Sequence, residues 1–153
     1  MISRRSVEHL RSSIFINGLE ADSEPEAIDK MLASLHGHPS VIDPMAFSAA
    51  VFARQQSDPP IFPGGIAFPH ARTDSVSSLV LVTATCPQPI LFRESPIRLI
   101  FLVGVPKAAV SDYLEITSFL ARHVRKGHVI DRLLSANDLS EFLSMFSETD
   151  EQA

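Results

Sequence analysis

The chain has 153 residues, 45% of them hydrophobic and 20% charged, with a formal net charge of -5. These values suit one soluble globular domain, and they leave enough apolar residues to bury a core. The acidic balance and scattered Lys and Arg give no basic footprint for nucleic acid, no apolar run nears the roughly 18 residues that membrane insertion needs, and no signal-peptide core follows Arg4-Arg5.

Along the chain, Ile14-Phe15-Ile16-Asn17 predicts an edge strand. Ser23 followed by Glu26 has capping-box spacing, and Ala27, Ile28, Met31, Leu32 and Leu35 recur helically, so a helix is predicted from Glu24 to Leu35. Asp43-Pro44 opens a second helix, with Phe47 and Val51 on its apolar face and Arg54 near its end. The polar, proline-rich stretch from Gln55 to Gly65 is expected to be a loop. Ile66-Ala67-Phe68 then predicts a short buried strand that Pro69 ends by removing a donor. Arg72 to Ser78 reads as a second polar connection, followed by a central strand over Leu79–Ala84. Pro87 and Pro89 predict a turn before Ile90-Leu91-Phe92, and Ile97 to Val103 a further strand closed by Gly104 and Pro106. Helices are expected from Ser111 to Lys126-Gly127, over Val129–Leu134, and from an Asn137 cap through Phe146. A polar tail follows from about residue 147. Cys86, the lone cysteine, lies in an apolar run and reads as a small buried hydrophobe in a reducing, cytoplasmic setting. The order of elements predicts a single α/β domain over 1–153, with a mixed sheet of about four or five strands between helices on both faces.

Chemistry concentrates at Gly64-Gly65-Ile66-Ala67-Phe68-Pro69-His70-Ala71. Two glycines allow a sharp turn and leave backbone N–H groups uncovered. His70 follows at the end of the strand, and a neutral imidazole nitrogen is available near pH 7. A displayed functional group and a strand-end histidine satisfying a carbonyl fit these residues equally. His36, His38, His123 and His128 form no completed metal pattern, which argues against a metal-dependent hydrolase. No GxSxG elbow, P-loop or dinucleotide fingerprint occurs.

Arg54, the following loop and Gly65-Ile66-Ala67-Phe68-Pro69-His70 resemble the active-site signature of the fructose/mannitol-type enzyme IIA domains of the bacterial phosphotransferase system. That family includes the nitrogen-regulatory enzyme IIA proteins. The likeness runs from about Ile14 to Phe146. It takes in Thr85 to Phe92 with Pro89, the strand ending at Pro106, Arg132-Leu133-Leu134 and Ser140-Glu141. No transmembrane or enzyme IIB segment is visible, so the chain looks more like the stand-alone regulatory branch.

The resemblance implies that His70 accepts a phosphoryl group from an HPr-like phosphocarrier, with no cofactor or metal, and that its phosphorylation state governs binding to regulatory targets. Arg54 would supply a forked cation for phosphate oxygens, and Gly64 and Gly65 backbone donors. By itself, without the resemblance, Arg54 reads first as a solvated helix-end cation. Two positions depart from the pattern. Gln55 stands where the family has glutamate, and Tyr113-Leu114 where it has a second histidine followed by leucine. Tyr113 can donate a hydrogen bond but cannot become cationic near pH 7, and it is equally a candidate core tyrosine. The alternative function is therefore a non-phosphorylated binding module with a degenerate site. Whether the chain acts as an enzyme, and whether it forms a homodimer, stay open at this level.

Overall fold

A computed structural model describes residues 3–57, 61–124 and 129–151, with side chains as far as Phe146. A helix absent from the sequence reading comes first. α1 (Arg4–Arg11) is capped by Ser3, whose hydroxyl accepts from Ser6 N. Its only aliphatic residues are Val7 and Leu10, too few to print a helical stripe on the sequence. The Ser3 backbone N–H donates to Glu115, and Arg5 and His9 lie 3.7 and 3.5 Å from Asp112, so α1 is held across the chain on a later helix.

β1 (Ile14–Ile16) forms one edge of the sheet, as expected. α2 (Glu24–Ala33) is capped by Ser23, which accepts from Glu26 N, while the Glu26 carboxylate accepts from Asp22 N. α3 (Pro44–Ser57) starts at Asp43, whose Oδ1 accepts from Ala46 N at 3.1 Å. α3 runs through Gln55, Gln56 and Ser57, where a loop was expected. Beyond it β2 (Ile61–Phe62) pairs antiparallel with β3 (Ile66–Ala67), so that stretch also supplies a strand.

The histidine strand is two strands. β3 pairs parallel with β6 (Ser95–Val105), the chain then passes Phe68 and Pro69, and β4 (His70–Arg72) pairs with the same β6 further along. Pro69 has no N–H to give, which interrupts the ladder; its carbonyl still accepts from Val103 N at 2.9 Å. His70 accordingly opens β4 instead of closing β3.

β5 (Val80–Phe92) runs straight through Pro87 and Pro89, which were expected to mark a turn. The register with β6 shifts between Thr85 and Ile90, and residues 87–89 are exposed. An irregularity of this kind lets proline sit in a strand without breaking the pairing on either side. The sheet has six strands in the order β1-β5-β6-β3-β2, with β4 also on β6. The count exceeds the four or five expected because β2 and β4, of two and three residues, have no counterpart in the sequence reading.

After Pro106 a 3₁₀ turn (Lys107–Ala109) leads into α4 (Val110–Val124). The Lys126-Gly127 stop lies outside the described residues. α5 (Val129–Leu133) and α6 (Leu139–Glu151) complete the chain. The cap of α6 is Asp138, which accepts from Glu141 N at 2.8 Å, and not Asn137. Helical backbone also continues to Glu151 where a polar tail was expected. No helix among the described residues is long and apolar enough to cross a membrane.

Helices cover both faces. On one, Ala27, Ile28, Met31, Phe47 and Val51 of α2 and α3 pack on Val80, Val82, Ala84, Ile100 and Leu102. On the other, Leu10, Ile116, Leu120, Leu133 and Phe142 pack on Ile66, Leu81, Leu99, Phe101 and Val103. Alternate residues of β5 and β6 serve alternate faces, which explains why both strands read as uninterrupted apolar runs. Gly104 fixes how closely α3 approaches: a Cβ there would lie 2.6 Å from Val80 Cγ2 and 2.9 Å from Phe47 Cζ. Gly104→Ala should therefore lower stability by about 1–3 kcal/mol through overpacking, seen as a lower urea midpoint at unchanged m-value. An unchanged midpoint would mean that the Phe47 ring can move aside.

Candidate active site

The site is built on Phe68. Its ring is buried, stacked on Phe101 at a centroid distance of 5.0 Å and met edge-on by Phe62 at 5.0 Å. A side chain anchored this firmly fixes the carbonyl behind it. Two residues on, across Pro69, Nδ1 of His70 lies 2.9 Å from that carbonyl oxygen. A carbonyl only accepts, so the neutral ring carries its proton on Nδ1 and leaves the Nε2 lone pair available.

His70 is half-buried, and burial holds its imidazole below the ordinary value of 6.5; the Arg54 charge acts in the same direction, while the Phe68 hydrogen bond opposes both. The ring is thus a neutral nucleophile near pH 7. Tyr113, in the first turns of α4, sets its ring 5.0 Å from the imidazole at 33°. Burial pushes its phenol above the usual value, against the pull of Arg54, so the hydroxyl keeps its proton and remains a donor. Arg54, half-buried in the last turn of α3, acts electrostatically on both rings.

Tyr113 therefore lies against His70, with Arg54 near enough for its charge to act on both. Gln55, Gly64 and Gly65 do not join them. One residue round the helix from Arg54, Gln55 is buried and turns to α2, where its amide donates to Glu24 at 2.9 Å. Gly64 and Gly65 adopt positive φ, at 96° and 85°, in the turn before β3. A Cβ on Gly65 would lie 2.9 Å from the Pro96 carbonyl, and its own carbonyl accepts from Arg98 N and Leu99 N. Along β6 this turn lies beside Leu99, whereas His70 pairs with Val103, about 13 Å further on. The glycines shape the turn; their N–H groups are not at the imidazole. A carbonyl partner for His70 was one of the two readings of the sequence, and the structure identifies it as that of Phe68, two residues back across the proline.

The other polar candidates stay apart from this cluster. His38 Nδ1 accepts from Ser40 N at 3.1 Å, and buried His123 directs Nδ1 at the Phe119 carbonyl, 2.8 Å away. His128 lies outside the described residues. No group of three or more His, Cys, Asp or Glu among the described residues is disposed to hold a metal ion. Cys86 is fully buried and its thiol is pushed up to about 12, which makes it a poor nucleophile.

Because His70 titrates lower folded than unfolded, the unfolded chain binds more protons between the two values. Stability is then complete above about pH 6.5 and falls as the pH drops through the folded value. Urea unfolding at pH 7.5 and 5.5 should show a loss on acidification that is smaller in His70→Gln. An equal loss in both proteins would mean that burial does not depress this imidazole.

Comparison with known proteins places these features in a family. The chain is 33% identical over 87 residues to the fructose-specific EIIA component of the phosphotransferase system of Haloferax volcanii, covering 55% of this chain and 56% of that protein. It is 32% identical over 87 residues, with the same two coverages, to the nitrogen regulatory protein of Pseudomonas aeruginosa. The chain thus spans about half the length of these relatives. The fold matches the crystal structure of the nitrogen regulatory protein IIA-Ntr of Neisseria meningitidis with a TM-score of 0.77 at 21% identity, covering 86% of this chain and 92% of that one. It matches IIA mannitol from Escherichia coli with a TM-score of 0.74 at 21% identity, covering 86% and 94%. Residues 9–149, which hold all three clustered side chains, match the model of the family described as "Phosphoenolpyruvate-dependent sugar phosphotransferase system, EIIA 2", and the chain belongs to that family.

Proposed function

We propose that this protein is a phosphoryl carrier whose acceptor atom is Nε2 of His70. What supports the reading is one hydrogen bond: with Nδ1 engaged by the Phe68 carbonyl, the lone pair of a half-buried imidazole is left on Nε2, beside a guanidinium and a phenol. In the transfer, Nε2 forms a bond to phosphorus while the N–P bond of a phosphorylated HPr-like donor breaks. The leaving imidazole of the donor keeps that electron pair. Charge on the equatorial oxygens is met by Arg54 and by the Tyr113 hydroxyl. Phosphorylation makes the ring cationic, and the Phe68 carbonyl then faces a positive Nδ1–H, a stronger bond than the neutral one.

The phosphorylated and unphosphorylated forms present different charge at one surface, which suits regulation of target proteins by phosphorylation state, in the cytoplasm where the donor would be made. A second reading, a binding module that is never phosphorylated, draws on Tyr113 and on Gln55 being engaged elsewhere with Glu24. It predicts partner binding indifferent to His70→Ala. The EIIA relative from Haloferax volcanii and the nitrogen regulatory relative carry different names, and the choice between sugar and regulatory roles belongs to the partner assay.

Supplied with phosphoenolpyruvate, a first phosphotransferase enzyme and an HPr-like carrier, the protein should take up one acid-labile phosphate, and His70→Ala none. No label on the native protein with a competent donor would sink the proposal. Arg54→Ala should slow uptake on the order of a hundredfold, as loss of a transition-state donor does, while stability shifts by about 1 kcal/mol or less.

Tyr113→Phe should shorten the phosphohistidine's lifetime by removing one donor. Tyr113→His should lengthen it, because a second imidazole can take up positive charge beside the phosphoryl group. Decay of the labelled protein at pH 7 reads both; if neither variant changes the rate, Tyr113 does not touch the phosphoryl oxygens.

A further inference from the structure

The last turn of α3 leaves backbone carbonyls with no partner inside the helix. Arg93, at the tip of the β5–β6 hairpin, reaches them: its Nη2 donates to Gln56 O at 2.9 Å and to Gln55 O at a longer 3.4 Å. These two carbonyls follow Arg54 directly in the chain. The Gln55 side-chain amide donates to Glu24 of α2 at 2.9 Å. Hairpin tip and α2 thus both bond to the same helical turn, Arg93 through its backbone carbonyls and Glu24 through the Gln55 side chain.

Four features make this grip more than ordinary capping. Arg93 is the only non-glycine residue described with positive φ, at 59°, a conformation that glycine or asparagine adopts more easily. The position holds an arginine against its backbone preference, and the guanidinium is what the turn gains. The hairpin beneath is rigid, since the strand ends beside the tip carry Phe92, Ile90 and Ile97, all buried. The space between α2, α3 and the tip is a cleft of about 200 Å³ lined by Glu24, Ile28, Phe52, Gln55 and Arg93, so apolar packing does not fill the gap beside these hydrogen bonds. Gln55 is only 5% exposed and its Oε1 has no partner, so its side chain is anchored by hydrogen bonding through its Nε2, to Glu24.

We propose that Arg93 is a positioning residue: by holding the final turn of α3 it sets where the Arg54 guanidinium sits relative to His70 and Tyr113. Glu24, through Gln55, is the second point of the clamp. This rests on the phosphoryl-carrier reading for its purpose, though not for its geometry. A guanidinium misplaced by about 1 Å is enough to cost one to two orders of magnitude in a transfer step.

The test is the pH titration of the His70 imidazole, followed by NMR in the unphosphorylated protein, together with the rate of phosphate uptake. Arg54→Gln should raise the His70 midpoint by removing a neighbouring cation. Arg93→Gly relaxes the backbone while deleting the guanidinium, so folding should be preserved. It should nevertheless raise the His70 midpoint as well and slow uptake roughly tenfold or more, and Arg93→Lys should restore part of both. Gln55→Glu, which faces one carboxylate with another, should act as Arg93→Gly does, and adding Glu24→Gln should reverse it. If Arg54→Gln moves the midpoint and Arg93→Gly leaves it and the rate at native values, Arg93 is a helix cap only and the positioning role is overturned. If Arg54→Gln moves nothing, the assignment of Arg54 fails first, and the clamp has nothing to position. If the midpoints shift as stated while the native protein takes up no phosphate, the clamp stands and the carrier reading falls.

Discussion

The bond from His70 Nδ1 to the Phe68 carbonyl ties the chemistry of the imidazole to the centre of the sheet. Its acceptor belongs to a residue locked between Phe62 and Phe101, and its donor opens a strand paired with β6. Pro69 is what makes the arrangement possible. Removing one ladder donor separates β3 from β4 and lets a backbone carbonyl turn toward a side chain two residues later. A continuous strand would alternate its side chains and keep its carbonyls in the ladder. The tautomer of His70 is therefore a consequence of a gap in the pairing.

The same sheet explains how three distant segments converge. α3 packs on one face and α4 on the other, so Arg54 and Tyr113 approach His70 from opposite layers. The Gly104 contact with Phe47 brings α3 close to β6, and the 3₁₀ turn after Pro106 starts α4 beside the strand that carries His70's partner, Val103. Burial at this junction acts on the two rings in the same chemical sense: it favours the neutral imidazole and the neutral phenol, leaving Arg54 as the charged member of the trio.

Much of this was legible because the signals were local. Ser23 and Asp43 mark helix starts by short-range capping, and the strands at Leu79 and Ile97 announce themselves through apolar runs buried on both faces. What failed was decided by tertiary structure. α1 is too short and polar to show a stripe, and it is held by Asp112 and Glu115 a hundred residues away. Pro87 and Pro89 look like a turn until β6 is seen to pair on either side of them. Gly64 and Gly65 sit near His70 in sequence, yet extended chain carries them about 13 Å away. Arg54 and Tyr113 went the other way, brought to the imidazole from segments that share no local pattern with it.

Gln55 shows how a departure from a family pattern can be read in its own surroundings. A carboxylate at that position would accept and could not donate, and Glu24 already presents a carboxylate oxygen 2.9 Å from the Gln55 nitrogen. Two buried-side acceptors in that place would repel, whereas amide and carboxylate complement each other. The amide is thus matched to α2, and its presence does not by itself mark decay of the neighbouring site. Tyr113 differs in kind, because it remains in contact with His70 and changes what that contact can offer. A phenol gives direction through one hydrogen bond but no charge, so positive charge beside the imidazole must come from Arg54. That is why the placement of one guanidinium, held through the final turn of α3, weighs more heavily here than it would beside a second imidazole.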